Sequence, residues 1–102
     1  MDEILRLREE IDVIDRQLAD LFVRRMECAG RIAACKQQRG LPVLDAAREK
    51  AMIAREQEYV ENPALRPLYV RFLSSLIALS REHQETLINP YSAPDGMKRG
   101  LK

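Results

Sequence analysis

Arg25 is the residue whose position points most directly to chemistry. Apolar or small residues recur around it at spacings of three and four, at positions 4, 7, 11, 14, 18, 21, 28, 32 and 35. Arg25 stands where the next apolar member of this heptad seam is expected. A guanidinium in a packed seam is costly unless an anion meets it there. The sequence therefore indicates either an anionic ligand at Arg25 or a buried ion pair with Glu49 or Glu56.

Three further charged residues are expected near Arg25. Lys36 follows Arg25 by eleven residues, which is about 1,100° of helical rotation, so both side chains leave the helix on nearly the same side, roughly 16 Å apart. Arg48 and Glu49 fall in the first turn of a second helix, where the helix dipole favours an anion. Two simpler explanations are also possible. Lys36 could extend its ammonium into solvent from near a helix end, and Arg48 and Glu49 could form an ordinary solvated first turn.

Ser80 and Gln84 replace apolar residues, one turn apart, on the seam of a third helix. They could form an interhelical polar contact that fixes the register of the helices. Together with the charged residues of the other two helices, they would surround a hole lined by two or three cations, one carboxylate and two neutral hydrogen-bonding groups. Such a lining suits a small, doubly anionic ligand that bears a hydroxyl group.

The element that must position these groups is a first helix of unusual length. Its pattern continues from Ile4 to Arg39, where Gly40 suits the C′ position and Pro42 prevents continuation. That helix would be roughly 54 Å long, whereas a compact chain of this size has a radius of gyration near ~13 Å. We therefore expect one unbroken helix that a second chain covers, in a homodimer or a larger bundle.

Two shorter helices are expected after the first. Asp45 is a good N-cap for a helix running to about Val60, with its carboxylate accepting from the N–H of residue 47 or 48. Pro67 suits the first turn of a third helix. We predict an all-α domain over residues 1–88 and a flexible tail over residues 89–102, where two prolines and two glycines are scattered among charges.

Composition excludes several classes of protein. A net charge of +1 with mixed signs gives no nucleic-acid footprint, and no run of ~18 apolar residues could span a membrane. Cys28 and Cys35 are seven residues apart on one helix, too far to form a disulfide with each other, and a CxxC metal or redox spacing is absent. We expect two reduced cysteines in the core of a cytoplasmic protein without a signal peptide.

Five sequence motifs resemble those of the all-helical (AroQ-class) chorismate mutases, and the resemblance covers about residues 4–88. The combination of L-R-x-x-I-D with D-x-x-R-E is the specific part, since any single piece is weak. The motifs are L-R-E-E-I-D-x-I-D at 7–15, R-R-M at 24–26, the lysine at 36, P-V-x-D-x-x-R-E at 42–49 and S-x-x-x-Q at 80–84.

The resemblance implies an intertwined homodimer of three-helix subunits in which each pocket borrows an arginine from the partner's long helix. The borrowed residue would be Arg8, and together with Arg25 it would hold the two carboxylates of chorismate. Lys36 and Gln84 would donate hydrogen bonds to the ether oxygen, and Glu49 would meet the ring hydroxyl. The residues expected to complete the pocket are Asp45, Arg48 and Ser80.

The implied reaction is the Claisen rearrangement of chorismate to prephenate, in phenylalanine and tyrosine biosynthesis. It needs no cofactor, metal, covalent intermediate or proton transfer. Catalysis would come from holding the reactive conformer and from fixed donors at the ether oxygen, where negative charge grows. This accounts for a cation-rich hole without a nucleophile–base pair.

Several alternatives stay open at this point. An isochorismate pyruvate-lyase of the same fold shares the arginines and the lysine, although its members usually lack counterparts of Asp45 and Glu49. An amino-substituted chorismate could be the substrate, and a non-catalytic helical dimerisation module would need no substrate. If the third helix were displaced by one residue, Arg81 and Glu85 would replace the Ser–Gln pair. The tail, with Lys98, Arg99 and Lys102, could dock on a partner enzyme.

Overall fold

The structure is a computed structural model, and it describes residues 2–88. It contains three α-helices, α1 (Glu3–Gln38), α2 (Ala46–Glu56) and α3 (Arg66–Ile88), with a short 3₁₀ helix at Gln57–Tyr59. The prediction of an all-helical chain with three helices is confirmed, and no strand occurs within residues 2–88. The tail proposed to be flexible and to bind a partner enzyme lies outside the described residues.

Local sequence signals determine where α1 begins and ends. The Asp2 side chain caps the first turn by accepting from the Ile4 N–H at 3.2 Å. At the other end Gly40 has a φ of +67°, which glycine adopts without steric cost. The Gly40 N–H donates to the Gln37 carbonyl and the Leu41 N–H to the Lys36 carbonyl. These two bonds form a Schellman motif, so the expected glycine C-cap is confirmed.

The starts of α2 and α3 also follow the sequence. Asp45 accepts from the Arg48 N–H at 3.0 Å, as predicted for an N-cap. The second α-helix ends at Glu56 rather than near Val60, because the chain tightens into the 3₁₀ turn first. Pro67 is the second residue of α3, where its missing N–H has no intrahelical partner to lose.

The core of the subunit is small and lies where α1 crosses α3. Its buried apolar residues are Ala29 and Ala33 of α1 with Leu73 and Ile77 of α3. Gly30 continues this line of small residues, and a Cβ built on it would lie 3.1 Å from Leu87 Cδ1. Small side chains on α1 therefore allow α3 to approach closely, which brings the polar residues of both helices together.

The first half of α1 makes no such packing. Every residue from Glu3 to Arg24 is exposed, including the large seam residues, and the chain extends over 54 × 36 × 20 Å. Its radius of gyration is 17.1 Å, well above the ~13 Å of a compact chain of this length. Cys28 and Cys35 are free but exposed, so the prediction that they are core residues is wrong for the chain that the structure describes. No helix in the described part is long and apolar enough to cross a membrane.

Candidate functional site

A cavity of about 330 Å³ lies between the second half of α1, the start of α2 and the second half of α3. Its buried lining residues are the apolar Ala29 and Ile77 and the polar Ser80 and Gln84. Seven of the eight side chains predicted to form the site line this cavity: Arg25, Lys36, Asp45, Arg48, Glu49, Ser80 and Gln84. The structure thus brings together polar residues that are up to 59 positions apart in sequence (84 − 25).

Arg25 is held by neutral groups. Its Nη1 donates to Ser80 Oγ and its Nη2 lies 3.8 Å from Met52 Sδ. Ser80 is buried, and its hydroxyl donates to the Leu76 carbonyl at 2.9 Å, which leaves its oxygen facing the guanidinium. Arg25 is therefore fixed in place while its charge is not neutralised, and the alternative of an ion pair with Glu49 or Glu56 is not observed.

Lys36 and Gln84 are oriented by backbone carbonyls. Lys36 Nζ donates to the Val43 carbonyl at 2.9 Å, and Gln84 Nε2 donates to the Ala29 carbonyl at 2.8 Å. An ammonium has three N–H donors and a carboxamide has two. Each side chain is thus anchored by one donor and retains at least one more for a ligand in the cavity.

Glu49 has a partner that the sequence analysis did not predict. Arg81 Nη1 donates to both carboxylate oxygens of Glu49, at 2.6 and 2.8 Å, across the gap between α2 and α3. Both side chains are half-buried, with exposed fractions of 32% and 24%, so this pair is less screened than a fully exposed one. Arg81 also lines the cavity.

A third helix displaced by one residue would place Arg81 and Glu85 where Ser80 and Gln84 are expected. That register is excluded, because Ser80 and Gln84 are both buried whereas Glu85 is exposed. No pattern in the sequence indicates the contact of Arg81 with Glu49, since the two residues lie 32 positions apart and on different helices. Only the packing of α2 against α3 reveals it.

Three cations of the cavity have no acidic partner in the part of the chain that the structure describes. Arg25, Lys36 and Arg48 take part in none of its ion pairs. The helix α2 begins at the same cavity, with Arg48 and Glu49 in its first turns, and its N-terminal dipole adds to the positive potential. These three cations can therefore bind an anionic group, although Asp45, Glu49 and Glu56 also line the cavity.

Arg8 is the predicted site residue that the structure does not bring to the cavity. It is exposed in the first half of α1. Seventeen residues separate it from Arg25 (25 − 8), a rise of roughly 25 Å along the helix. Arg8 therefore cannot reach the cavity of its own subunit.

Comparison with protein families decides which family this arrangement belongs to. The model described as chorismate mutase type II matches residues 7–85, most of the chain. The chain belongs to the chorismate mutase type II family. Among residues 2–88 no group of three potential metal ligands occurs.

The individual relatives of this chain carry two different names. Segments of two T-proteins are similar to it: 42% identity over 53 residues for Haemophilus influenzae and 34% over 59 for Enterobacter agglomerans, covering 52% and 58% of this chain. Those segments are only 14% and 16% of the two relatives. The 4-amino-4-deoxychorismate mutase of Streptomyces venezuelae is 29% identical over 87 residues, 85% of this chain and 84% of that protein. No solved structure matches the chain.

Proposed function

We propose that this protein is a chorismate mutase that converts chorismate to prephenate. The observation that carries the proposal is the convergence of Arg25, Lys36 and Arg48, none of them paired with a carboxylate in the described part, on one cavity. Chorismate is a dicarboxylate that also bears an ether oxygen and a ring hydroxyl. The cavity offers cations for the two carboxylates, neutral and charged donors for the ether oxygen, and a carboxylate for the ring hydroxyl.

Substrate binding would use two subunits. Arg25 would hold one carboxylate of chorismate, and Arg8 of the partner subunit would hold the other. Ser80 keeps the Arg25 guanidinium in place through its hydroxyl. Arg48, at the start of α2, would add a second positive group near the bound carboxylates, and Asp45 fixes that turn by capping it.

Rate acceleration would come from conformation and from fixed charge. In the rearrangement the ether C–O bond breaks as a new C–C bond forms within the same molecule, and negative charge grows on the ether oxygen. Lys36 and Gln84 are already anchored through Val43 and Ala29, so their remaining N–H groups need little reorganisation to meet that charge. Holding chorismate in its reactive diaxial conformer would supply the rest.

The dimer is supported by apolar surface that the single subunit leaves uncovered. Along the first half of α1 six seam residues are 45–57% exposed: Ile4, Leu7, Ile11, Ile14, Leu18 and Leu21. A second, mainly apolar groove beside the α1–α3 contact is lined by Phe22, Val23, Met26 and Leu79. Four buried apolar residues in the described part make too small a core for a stable monomer. A second copy, with its own long helix, would cover both surfaces.

A second candidate function is the rearrangement of an amino-substituted chorismate. It is favoured by the relative named 4-amino-4-deoxychorismate mutase, whose similarity to this chain extends over most of both proteins. The two candidates share the fold, the cations and the reaction. They differ in what the pocket must recognise at one ring carbon, where a hydroxyl is replaced by an amine.

The proposed activity can be tested by following chorismate consumption with the wild-type chain and with Lys36→Ala. Removing one donor to the ether oxygen should lower kcat/KM by about 10²-fold or more. Lys50→Ala is a matched control, because Lys50 is exposed on α2 and does not line the cavity. It should leave kcat/KM within about twofold of wild type.

Two results would contradict this proposal. Equal activity of Lys36→Ala and Lys50→Ala would remove Lys36 from catalysis. Formation of salicylate from isochorismate, at a higher specificity constant than prephenate from chorismate, would identify a pyruvate-lyase instead.

A further inference from the structure

All three carboxylates that line the cavity already have partners within the chain. Asp45 accepts the Arg48 N–H at 3.0 Å, Glu49 accepts Arg81 at 2.6 and 2.8 Å, and Glu56 accepts Arg55 at 3.5 Å. The contact of Glu49 is the shortest and the only one with a cation that also lines the cavity. The cavity therefore contains cations without acidic partners in the described part, but its carboxylates are engaged.

We propose that Arg81 is a specificity-determining residue, which makes the pocket select a hydroxyl over an amine on the substrate ring. It acts through Glu49, whose carboxylate it holds in place and whose charge it offsets. This inference rests on the proposed function, in which Glu49 meets the ring substituent of a chorismate-like dicarboxylate. Arg81 is thus a positioning residue rather than a catalytic one.

A hydroxyl and an amine make different demands on the Glu49 carboxylate. An ionised carboxylate has about four lone-pair sites, and the two contacts from Arg81 leave about two of them for a substrate donor. A neutral hydroxyl can donate there without meeting a charge of its own sign. An aliphatic amine is protonated near neutral pH, so it would place a second cation against a carboxylate that the Arg81 guanidinium already satisfies.

The other charged groups facing the cavity strengthen this selection. Arg25 and Lys36 from α1 and Arg48 from α2 all add positive potential, and the start of α2 adds its dipole. Asp45 is occupied as the N-cap, and Glu56 lies beside Arg55. An ammonium bound at Glu49 would therefore meet the Arg81 charge on the same carboxylate and the positive groups of α1 and α2 around it, and the carboxylates of Asp45 and Glu56 would offset only part of this repulsion.

The test compares kcat/KM for chorismate and for 4-amino-4-deoxychorismate in the wild type, Arg81→Met and Arg81→Lys. The wild type should prefer chorismate. Arg81→Met removes the guanidinium while keeping an unbranched side chain, so the ratio of the two kcat/KM values should fall by about 10-fold or more. Arg81→Lys keeps the charge and should retain most of the preference.

Arg71→Met is the matched control, since Arg71 is exposed on α3 and lies outside the cavity lining. Its substrate ratio should equal that of the wild type. If Arg81→Met does not fold, Glu49→Gln tests the same pair from the other side. Glu49→Gln leaves the Arg81 guanidinium without its carboxylate partner. The ratio of kcat/KM for chorismate to that for 4-amino-4-deoxychorismate should therefore rise.

The possible failures of the two proposals can be told apart. A wild type that prefers the amino-substituted substrate, or an Arg81→Met ratio that is unchanged or higher, overturns the role of Arg81 while mutase activity persists. An equal loss on both substrates would show that Arg81 has only a structural role, and also overturns the inference. A wild type that converts neither substrate overturns the proposed function, and this inference fails with it.

Discussion

The two halves of α1 carry the same apolar spacing but have different surroundings. From Glu3 to Arg24 every residue is exposed, whereas the second half buries Ala29 and Ala33 against α3 and contributes Arg25 and Lys36 to the cavity. Arg25 is the first residue along the helix that is not exposed. Burial along α1 thus begins at the same residue, Arg25, at which a charged side chain replaces an apolar one in the seam.

Residue size explains the difference between the halves. The first half carries Ile and Leu at its seam positions, whereas in the second half the small residues Ala29, Gly30 and Ala33, which lie beside the seam, face α3. Small residues let α3 approach closely, since a Cβ added at Gly30 would lie only 3.1 Å from Leu87 Cδ1. Large aliphatic residues suit contact with the long helix of another chain. We therefore infer that one half builds the pocket and the other half builds the dimer.

The largest expected effect comes from the pocket half. Arg25→Ala should lower kcat/KM by about 10²–10³-fold, because it removes a cation held in place for a carboxylate. Arg31→Ala is the matched control, since Arg31 is exposed on the same half of α1. It should change kcat/KM by no more than about twofold. Steady-state kinetics with chorismate measures both.

Arg25→Ala should also leave the oligomeric state unchanged, which sedimentation or size-exclusion chromatography can check. Dissociation of the dimer in this variant would contradict the division of α1 into two halves, because Arg25 would then serve assembly. Full activity in the variant would instead remove Arg25 from the site.

The next effect, on assembly rather than on catalysis, is expected from the other half of α1. Ile14→Asp places a charge on the exposed seam of α1, where Ile14 is 50% exposed in the subunit. Losing the burial of one Ile costs about 1.5–3 kcal/mol, and twofold symmetry counts it twice. The dissociation constant of the dimer should rise by about 10²-fold or more, as measured by sedimentation equilibrium.

Arg16→Asp is the control for this variant, because Arg16 lies on the opposite side of α1, about 180° from the middle of the seam at residues 14–18. Its dimer should be as stable as that of the wild type. If both substitutions weaken the dimer equally, the seam is not the contact surface. If neither does, the first half of α1 has another role.

The smallest change concerns the pH dependence of the pocket. Gln84 donates to the Ala29 carbonyl and is 8% exposed, and its amide can donate at any pH near neutrality. In Gln84→Glu only the protonated carboxyl can donate, and burial raises its pKa. Activity should therefore be nearly flat around neutral pH in the wild type, and should rise as pH falls in the variant. An unchanged pH–rate profile would remove Gln84 from the site.

Much of the fold could be predicted from the sequence, because local signals control its boundaries. Asp45 and Gly40 are a side-chain N-cap and a positive-φ C-cap, and both act within a few residues. The cavity was predictable for a related reason. Polar residues at apolar seam positions must find partners or a ligand, and helical rotation shows that Arg25 and Lys36 share a side.

Contacts between helices at large sequence separation were not predictable in this way. The pair of Arg81 and Glu49 depends on the packing angle between α2 and α3. The periodicity of neither helix determines that angle. The exposure of Cys28 and Cys35 could not be predicted either. An apolar seam position indicates that something packs against it, but not whether that is another helix of the same chain or a second chain.

The central claim is that each pocket combines the second half of α1 with Arg8 from the first half of α1 in the partner subunit. Arg8→Ala and Arg25→Ala should each have low activity when assayed alone. When the two variants are unfolded, mixed in equal amounts and refolded, about half of the dimers are mixed, and one pocket in each mixed dimer is intact. The account predicts that the mixture recovers about one quarter of wild-type activity. A mixture no more active than its components would contradict it.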